Sequence, residues 1–159
     1  MKNKFLKLFL SLILVLALCA CGKSEKTFEE EGFKITLTNE FAKKDLENFT
    51  YYYQSLTSFV TALNEPMTTL EYLGLSNAST VEDYLTEVAS ANKKEADIKT
   101  RNNYAYFDFE STTDNNTFYY LCAAYKSDNG FWLLNFGCKA EDKDKMSEQF
   151  LTWADSVEV

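Results

Sequence analysis

The sequence predicts an α+β fold, one antiparallel sheet of about six to seven strands with helices packed on it. Three observations predict it. Short runs of alternating apolar and polar residues recur between turn residues, which is the period of half-buried strands. Aromatic residues make up 16% of the chain, with 13 Phe and 10 Tyr, a composition that favours strands over disorder. Two segments break the two-residue period and place apolar residues three and four apart, as helices do. Consecutive strands joined by short turns pair antiparallel, and an amphipathic helix can cover part of a sheet face.

The first residues belong to no domain. Lys2, Lys4 and Lys7 precede an apolar run from Leu8 to Ala20 that only Ser11 interrupts. A cationic start, a short apolar run and a tail of small residues are the layout of a secretory signal. A spanning helix needs about 20 apolar residues, and this run is shorter. Its end resembles the lipobox of bacterial lipoproteins, with Leu18 three positions before Cys21, Ala20 immediately before it and Gly22 after it. The resemblance implies that Cys21 receives a diacylglyceryl group, that residues 1–20 are removed, and that the protein is held on the extracytoplasmic face of the cell membrane. Cys19 is the competing thiol, but bulky Leu18 precedes it where that family has a small residue.

Removal of residues 1–20 from the 159-residue chain leaves 139, enough for one ordinary domain. The signal holds three lysines and no acid, so the 16 basic and 24 acidic residues of the chain become 13 against 24. An excess of negative charge this large repels nucleic-acid phosphates, and nucleic acid is excluded as a partner. The chain has no histidine. Ser-His-Asp and Cys-His nucleophilic sites, His-ligated zinc and the usual near-neutral general base are all excluded with it. No cofactor motif is present, and the expectation is a protein that is not an enzyme.

Residues 21–31 read as a flexible polar tether and residues 32–159 as a single domain. Phe33, Ile35 and Leu37 alternate with Lys34, Thr36 and Thr38 and predict a strand. Residues 39–48 read as a polar connection anchored by Phe41 and Leu46. Strands over 50–54 and 58–64 follow, close enough to pair as a hairpin, and Pro66 bars further strand. One short helical turn fits 69–73, ending at Gly74. Ser79 and Glu82 read as a capping box opening a helix over 80–92, with Val81, Tyr84, Leu85, Val88 and Ala89 on one stripe. Strands are expected over 98–101 and 104–111, the latter with Ala105, Phe107 and Phe109 on one face and Tyr104, Tyr106, Asp108 and Glu110 on the other. Residues 112–116 read as a polar loop. Strands over 118–126 and 131–139 close through Asp128-Asn129-Gly130, where Asn-Gly is a turn signal because both residues tolerate positive φ. This turn sets Leu121, Ala123 and Tyr125 on the same face as Trp132, Leu134, Phe136 and Cys138. A final helix over 141–156 aligns Met146, Phe150, Trp153, Ala154 and Val157.

The order of these elements, with Gly32-Phe33-Lys34-Ile35-Thr36-Leu37 at the start and Phe131-Trp132-Leu133-Leu134-Asn135-Phe136 before a terminal helix bearing Trp153-Ala154-Asp155-Ser156-Val157, resembles PsbP-type and Mog1-type domains. The resemblance implies an αβα sandwich and a binding or assembly role, and it carries over no functional residue.

Each candidate for chemistry has a structural alternative. Cys122 and Cys138 fall on opposite faces of their hairpin, which favours free thiols over a disulfide. Asp142 with Asp144, and Asp114 with Asn115 and Asn116, lack the central Gly and closing Glu of a calcium loop. Asp108 and Glu110 share a strand face, as carboxylates commonly do on exposed sheets. Tyr51, Tyr52, Tyr53, Tyr104 and Tyr106 either line a ligand pocket or pack with their hydroxyls at a rim. The sequence therefore supports a lipid-anchored interaction protein with an envelope protein as partner. Its alternative is a small-ligand-binding lipoprotein with a tyrosine-lined pocket.

Overall fold

The computed structural model describes residues 24–159. In chain order the elements are β1 (Glu25–Glu30), β2 (Phe33–Thr38), β3 (Ala42–Lys44), β4 (Tyr51–Gln54), β5 (Ser58–Pro66), α1 (Val81–Ala91), β6 (Lys99–Arg101), β7 (Tyr104–Thr113), β8 (Asn116–Ser127), β9 (Gly130–Lys139) and α2 (Lys143–Asp155). Seven strands form one sheet in the order β3-β4-β5-β9-β8-β7-β6. Every neighbouring pair is antiparallel. The expected fold class is the observed one. The edge strands β3 and β6 have three residues each and carry Lys43, Lys44, Lys99 and Arg101, features that discourage edge-to-edge association.

Alternation along the long central strands divides the core in two. On one face Tyr53, Val60, Ala62, Leu121, Ala123, Tyr125, Trp132, Leu134 and Phe136 are buried under the β1–β2 hairpin and α2. On the other, Ala105, Phe107, Cys122, Ala124 and Phe131 are buried with Tyr84, Leu85 and Ala89 of α1 and with Met67, Leu70 and Leu75. The pairing of Leu121 with Phe136, Ala123 with Leu134 and Tyr125 with Trp132 gives the shared face expected of the β8–β9 hairpin. Both remaining cysteines are free and buried, Cys138 in the first core and Cys122 in the second.

Several boundaries differ from the sequence reading. Residues 25–30 of the expected tether form β1, paired along its length with β2. Phe28 is its one buried side chain, and Thr27 meets Thr36 at 2.9 Å between their hydroxyls. β3 lies within the expected connection, where Phe41 is buried as an anchor but Leu46 is exposed. The cap of α1 is shifted by one residue. Thr80 Oγ1 accepts from the Asp83 N–H, and the Asp83 carboxylate accepts from the Thr80 N–H. β7 and β8 run on through the expected loop to a two-residue turn, Asp114-Asn115, with both residues at positive φ. The β8–β9 turn is Asp128-Asn129, and neither of those residues has positive φ. Gly130 does have positive φ, at 157°, and it also serves close approach, because a β carbon there would lie 2.1 Å from the Glu65 carbonyl oxygen.

The chain end is tied back at two places. Glu158 pairs with Lys34 through both backbone groups and an Nζ–Oε1 contact of 2.8 Å. Asp155 accepts from Arg101 Nε and Nη2 at 2.8 and 2.6 Å, Asn102 Nδ2 at 3.0 Å and Tyr104 Oη at 3.0 Å, joining α2 to the β6–β7 turn. The Arg101 guanidinium, then the Tyr104 hydroxyl, hold the Asp155 carboxyl below its ordinary value of 3.8. A lowered carboxylate contributes stability that is present above that ordinary value and is lost as pH falls below it toward the native value. Asp155→Asn is expected to cost about 1–2 kcal/mol at neutral pH, discounted for partial exposure. It should also flatten the acid limb of a stability profile below about pH 4. An unchanged acid limb in urea titrations across pH would refute this assignment.

Candidate functional site

α1 packs on β7 and β8 and reaches β9 at Phe131 through Tyr84, and beyond that contact β9, β5 and β4 run on past the helix. There the register builds a cavity of about 600 Å³. One row of its floor crosses five strands as Phe107, Cys122, Asn135, Thr61 and Tyr52, each directly paired with the next. The adjacent row is Phe109, Tyr120, Gly137 and Phe59. Leu133 adds to the floor, Val88 of α1 with Asn92 just past its end and Lys94 form one wall, and Leu46 and Phe49 stand at the mouth.

Aromatic packing sets the shape of the floor. Tyr120 stacks on Phe109 with centroids 5.0 Å apart and planes at 10°, and it meets Phe59 edge-on at 5.8 Å. Phe59 can lie across β9 because Gly137 has no side chain, and a β carbon there would be 2.3 Å from the Phe59 ring. Leu46 and Phe49 remain 44% and 37% exposed, so the mouth is apolar toward solvent.

Besides the two tyrosines, the polar residues of the lining are Thr61, Asn92, Lys94, Ser111 and Asn135. Thr61 is 5% exposed, and its Oγ1 is buried with no hydrogen-bond partner among the described residues. Asn135 faces it directly in the ladder, where paired β carbons lie about 4.5–5.5 Å apart. Among the described residues Lys94 carries the only charge of the lining. Its ammonium lies 5.0 Å over the Phe109 ring and 3.5 Å from the Glu110 carbonyl oxygen, to which it donates. Burial pushes the Cys122 thiol up to about 12, so it is a neutral thiol in the floor and no thiolate nucleophile.

The tyrosines singled out in the sequence are divided by the pleat. Only Tyr52 lines the cavity. Tyr51 stacks on Trp132 at 5.9 Å, and Tyr53 is buried against Phe28 at 4.6 Å on the opposite face. Tyr104 is engaged by Asp155, and Tyr106 packs beside it at 6.0 Å. Tyr120, which the sequence reading did not single out, supplies the second cavity tyrosine. Asp108 and Glu110 are exposed on the side opposite the cavity, with Glu110 3.3 Å from Lys143. Asp142 sits 3.3 Å from Lys145, and Asp114 occupies the β7–β8 turn. Among the described residues no three of His, Cys, Asp and Glu stand close enough to hold a metal ion. Cys21 lies outside the described residues. The signal that would have marked the cavity was Thr61 and Asn135, polar residues at inward positions of otherwise apolar strands.

An antiparallel seven-stranded sheet between a helix on one face and a helix with a β-hairpin on the other defines an α+β sandwich of the PsbP-like and Mog1-like type. Solved structures agree with this. Cyanobacterial PsbP from Synechocystis sp. PCC 6803 matches with a TM-score of 0.52 at 11% identity, over 89% of this chain and 95% of its own. The Saccharomyces cerevisiae Ran-binding protein Mog1p matches at 0.55 and 7% identity, over 87% and 96%. A protein from Bacteroides thetaiotaomicron matches at 0.61 and 10% identity, over 87% of this chain but 49% of its own. No family model and no curated protein matches the sequence. At these identities the likeness is one of fold.

Proposed function

We propose that this chain is a lipid-anchored protein of the extracytoplasmic face of the cell membrane, held by an acylated Cys21, with a non-catalytic role in binding a protein partner. The observation that carries the binding role is the sheet face left open beyond α1. Its floor is aromatic, its mouth is apolar, and its lining holds neither a carboxylate nor a thiolate for chemistry. Mog1p, similar in fold, is named for binding Ran, which supports a protein as the partner class. The anchor rests on Leu18-Cys19-Ala20-Cys21-Gly22. Two or more acyl chains hold a protein on a bilayer where one holds only marginally. Because β1 begins at Glu25, residues 21–24 span at most about 14 Å when extended. A tether this short holds the domain close to the membrane surface.

Labelled fatty acid should enter the wild-type protein and be absent from Cys21→Ala, and crosslinking in intact cells should return one reproducible protein partner. Wild type recovered wholly soluble and unlabelled would end the anchor proposal. Repeated crosslinking without a protein adduct would end the partner proposal. A second reading, a small ligand in a tyrosine-edged pocket, is favoured by one specific observation, the unpartnered Thr61 hydroxyl on the cavity floor.

A further inference from the structure

The geometry points to a small-molecule site between β4, β5, β9, β8 and β7, taking an elongated apolar organic acid that carries a second hydrogen-bonding group remote from its carboxylate. This deepens the small-ligand reading above and rests on that face being a binding face. At about 600 Å³ the cavity lies within the range of small-molecule sites, which are largely apolar with a few placed polar groups.

Three features specify the ligand. The first is the polar spot made by Thr61 and Asn135, opposed across β5 and β9. Thr61 Oγ1 has no partner, and no hydrogen bond ties the Asn135 side chain to another described residue. A buried hydroxyl without a partner is costly, and a ligand group that donates to it or accepts from it removes that cost. The second is charge. The chain has 24 acidic residues against 16 basic, yet among the described residues no acid lines the cavity and the one charged side chain there is Lys94. Lys94 is bonded to a carbonyl and rests on a ring, with no carboxylate partner among the described residues, so an anionic end of a ligand can pair with it. The third is spacing. Lys94 sits over Phe109 of β7, whereas Asn135 belongs to β9. Two strand spacings and a two-residue offset along the strands separate Phe109 from Asn135, roughly 12 Å on the diagonal. The rings of Phe107, Phe109 and Tyr120 line the same cavity. The ligand therefore has a carboxylate at one end, a hydroxyl or carbonyl at the other, and a flat apolar body that stacks on these rings.

The probe para,para′-hydroxybiphenylcarboxylate has this arrangement. Biphenylcarboxylate lacks the hydroxyl, and para-hydroxybiphenyl lacks the charge. The three are titrated calorimetrically into the full chain in phosphatidylcholine nanodiscs, with empty nanodiscs as blank. The hydroxy acid is expected to bind in the micromolar range and each truncated probe about three- to tenfold more weakly. Thr61→Val should weaken the hydroxy acid by a similar factor and leave biphenylcarboxylate unchanged. It should not lower the melting temperature, because it removes an unpaired hydroxyl at nearly constant volume. Lys94→Met should weaken both acids and leave para-hydroxybiphenyl unchanged. Absence of binding by all three probes would overturn the site. Equal binding of the hydroxy acid to wild type and both variants would overturn the assigned contacts. A protein crosslinked from a photoreactive residue at Phe59, with none of the probes bound, would overturn this inference while leaving the protein-binding role standing.

Discussion

Phe150→Ala is expected to destabilise the domain by about 3–5 kcal/mol. Phe150 is fully buried on α2, and with Trp153 and Ala154 it closes the hairpin-side core. Its ring lies 5.9 Å from Tyr119 of β8 with planes at 3°, 5.9 Å from Phe136 of β9 and 5.7 Å from Trp153. Truncation removes the buried ring and leaves a void between a helix and two central strands, neither of which can close on it without giving up ladder bonds. The transfer and cavity contributions therefore both appear. At a few degrees per kcal/mol for a domain of this size, the melting temperature should fall by roughly 10–20 °C. Leu56→Ala is the control, since that side chain is fully exposed and the change should stay within about 0.5 kcal/mol. A loss under about 1.5 kcal/mol for Phe150→Ala in urea unfolding would mean that α2 does not seal this face.

The same side chain shows what the sequence carries well. Phe150, Trp153, Ala154 and Val157 recur at helical spacing and are all buried. The β8–β9 faces follow from strict alternation, and the opposite burial of Cys122 and Cys138 follows from the same parity. β1 was illegible for a physical reason. Its residues are Glu25-Lys26-Thr27-Phe28-Glu29-Glu30, so only Phe28 marks a core position, and the strand is held by backbone pairing to β2. The Asp114-Asn115 turn hid because its residues read as loop, although both are types that accept positive φ.

The cavity was illegible for another reason, since it depends on how far a helix reaches. α1 has 11 residues and is about 16 Å long, while seven strands span about 29 Å. A helix lying on β7 and β8 reaches β9 at Phe131 and β5 at Glu65 through Tyr84, and cannot cover the rest of β9, β5 and β4 as well. Phe107 and Phe109 are legible as one face, but their share in an open site depends on this mismatch of widths.

Gly130→Ala is expected to cost about 3 kcal/mol or more, beyond what any change of backbone preference explains. An added β carbon would stand 2.1 Å from the Glu65 carbonyl oxygen and 2.9 Å from both Met67 N and Pro66 Cα, all of them backbone atoms. None can step aside cheaply. Glu65 and Pro66 end β5 in register with Phe131 and Gly130, and the proline ring fixes its own φ at −65°. Met67 N–H donates to the Asn129 carbonyl at 2.8 Å, a bond that any retreat of β5 would break. The next residue, Phe131, stacks on Tyr84 at 4.6 Å with planes at 5°, so displacement of the turn also loosens α1. Gly74 and Gly32 make the comparison decisive. Their φ values are 78° and 67°, and no atom lies within 4 Å of an added β carbon at either. Alanine there should cost only the left-handed penalty of about 1–2 kcal/mol. Gly137 is a further contrast, because the atoms in its way belong to the Phe59 side chain, which can swing clear. Unfolding free energies should therefore rank Gly130→Ala as the most damaging of the four. A loss for Gly130→Ala no larger than that for Gly74→Ala would show that the junction of β5 with the β8–β9 turn yields freely.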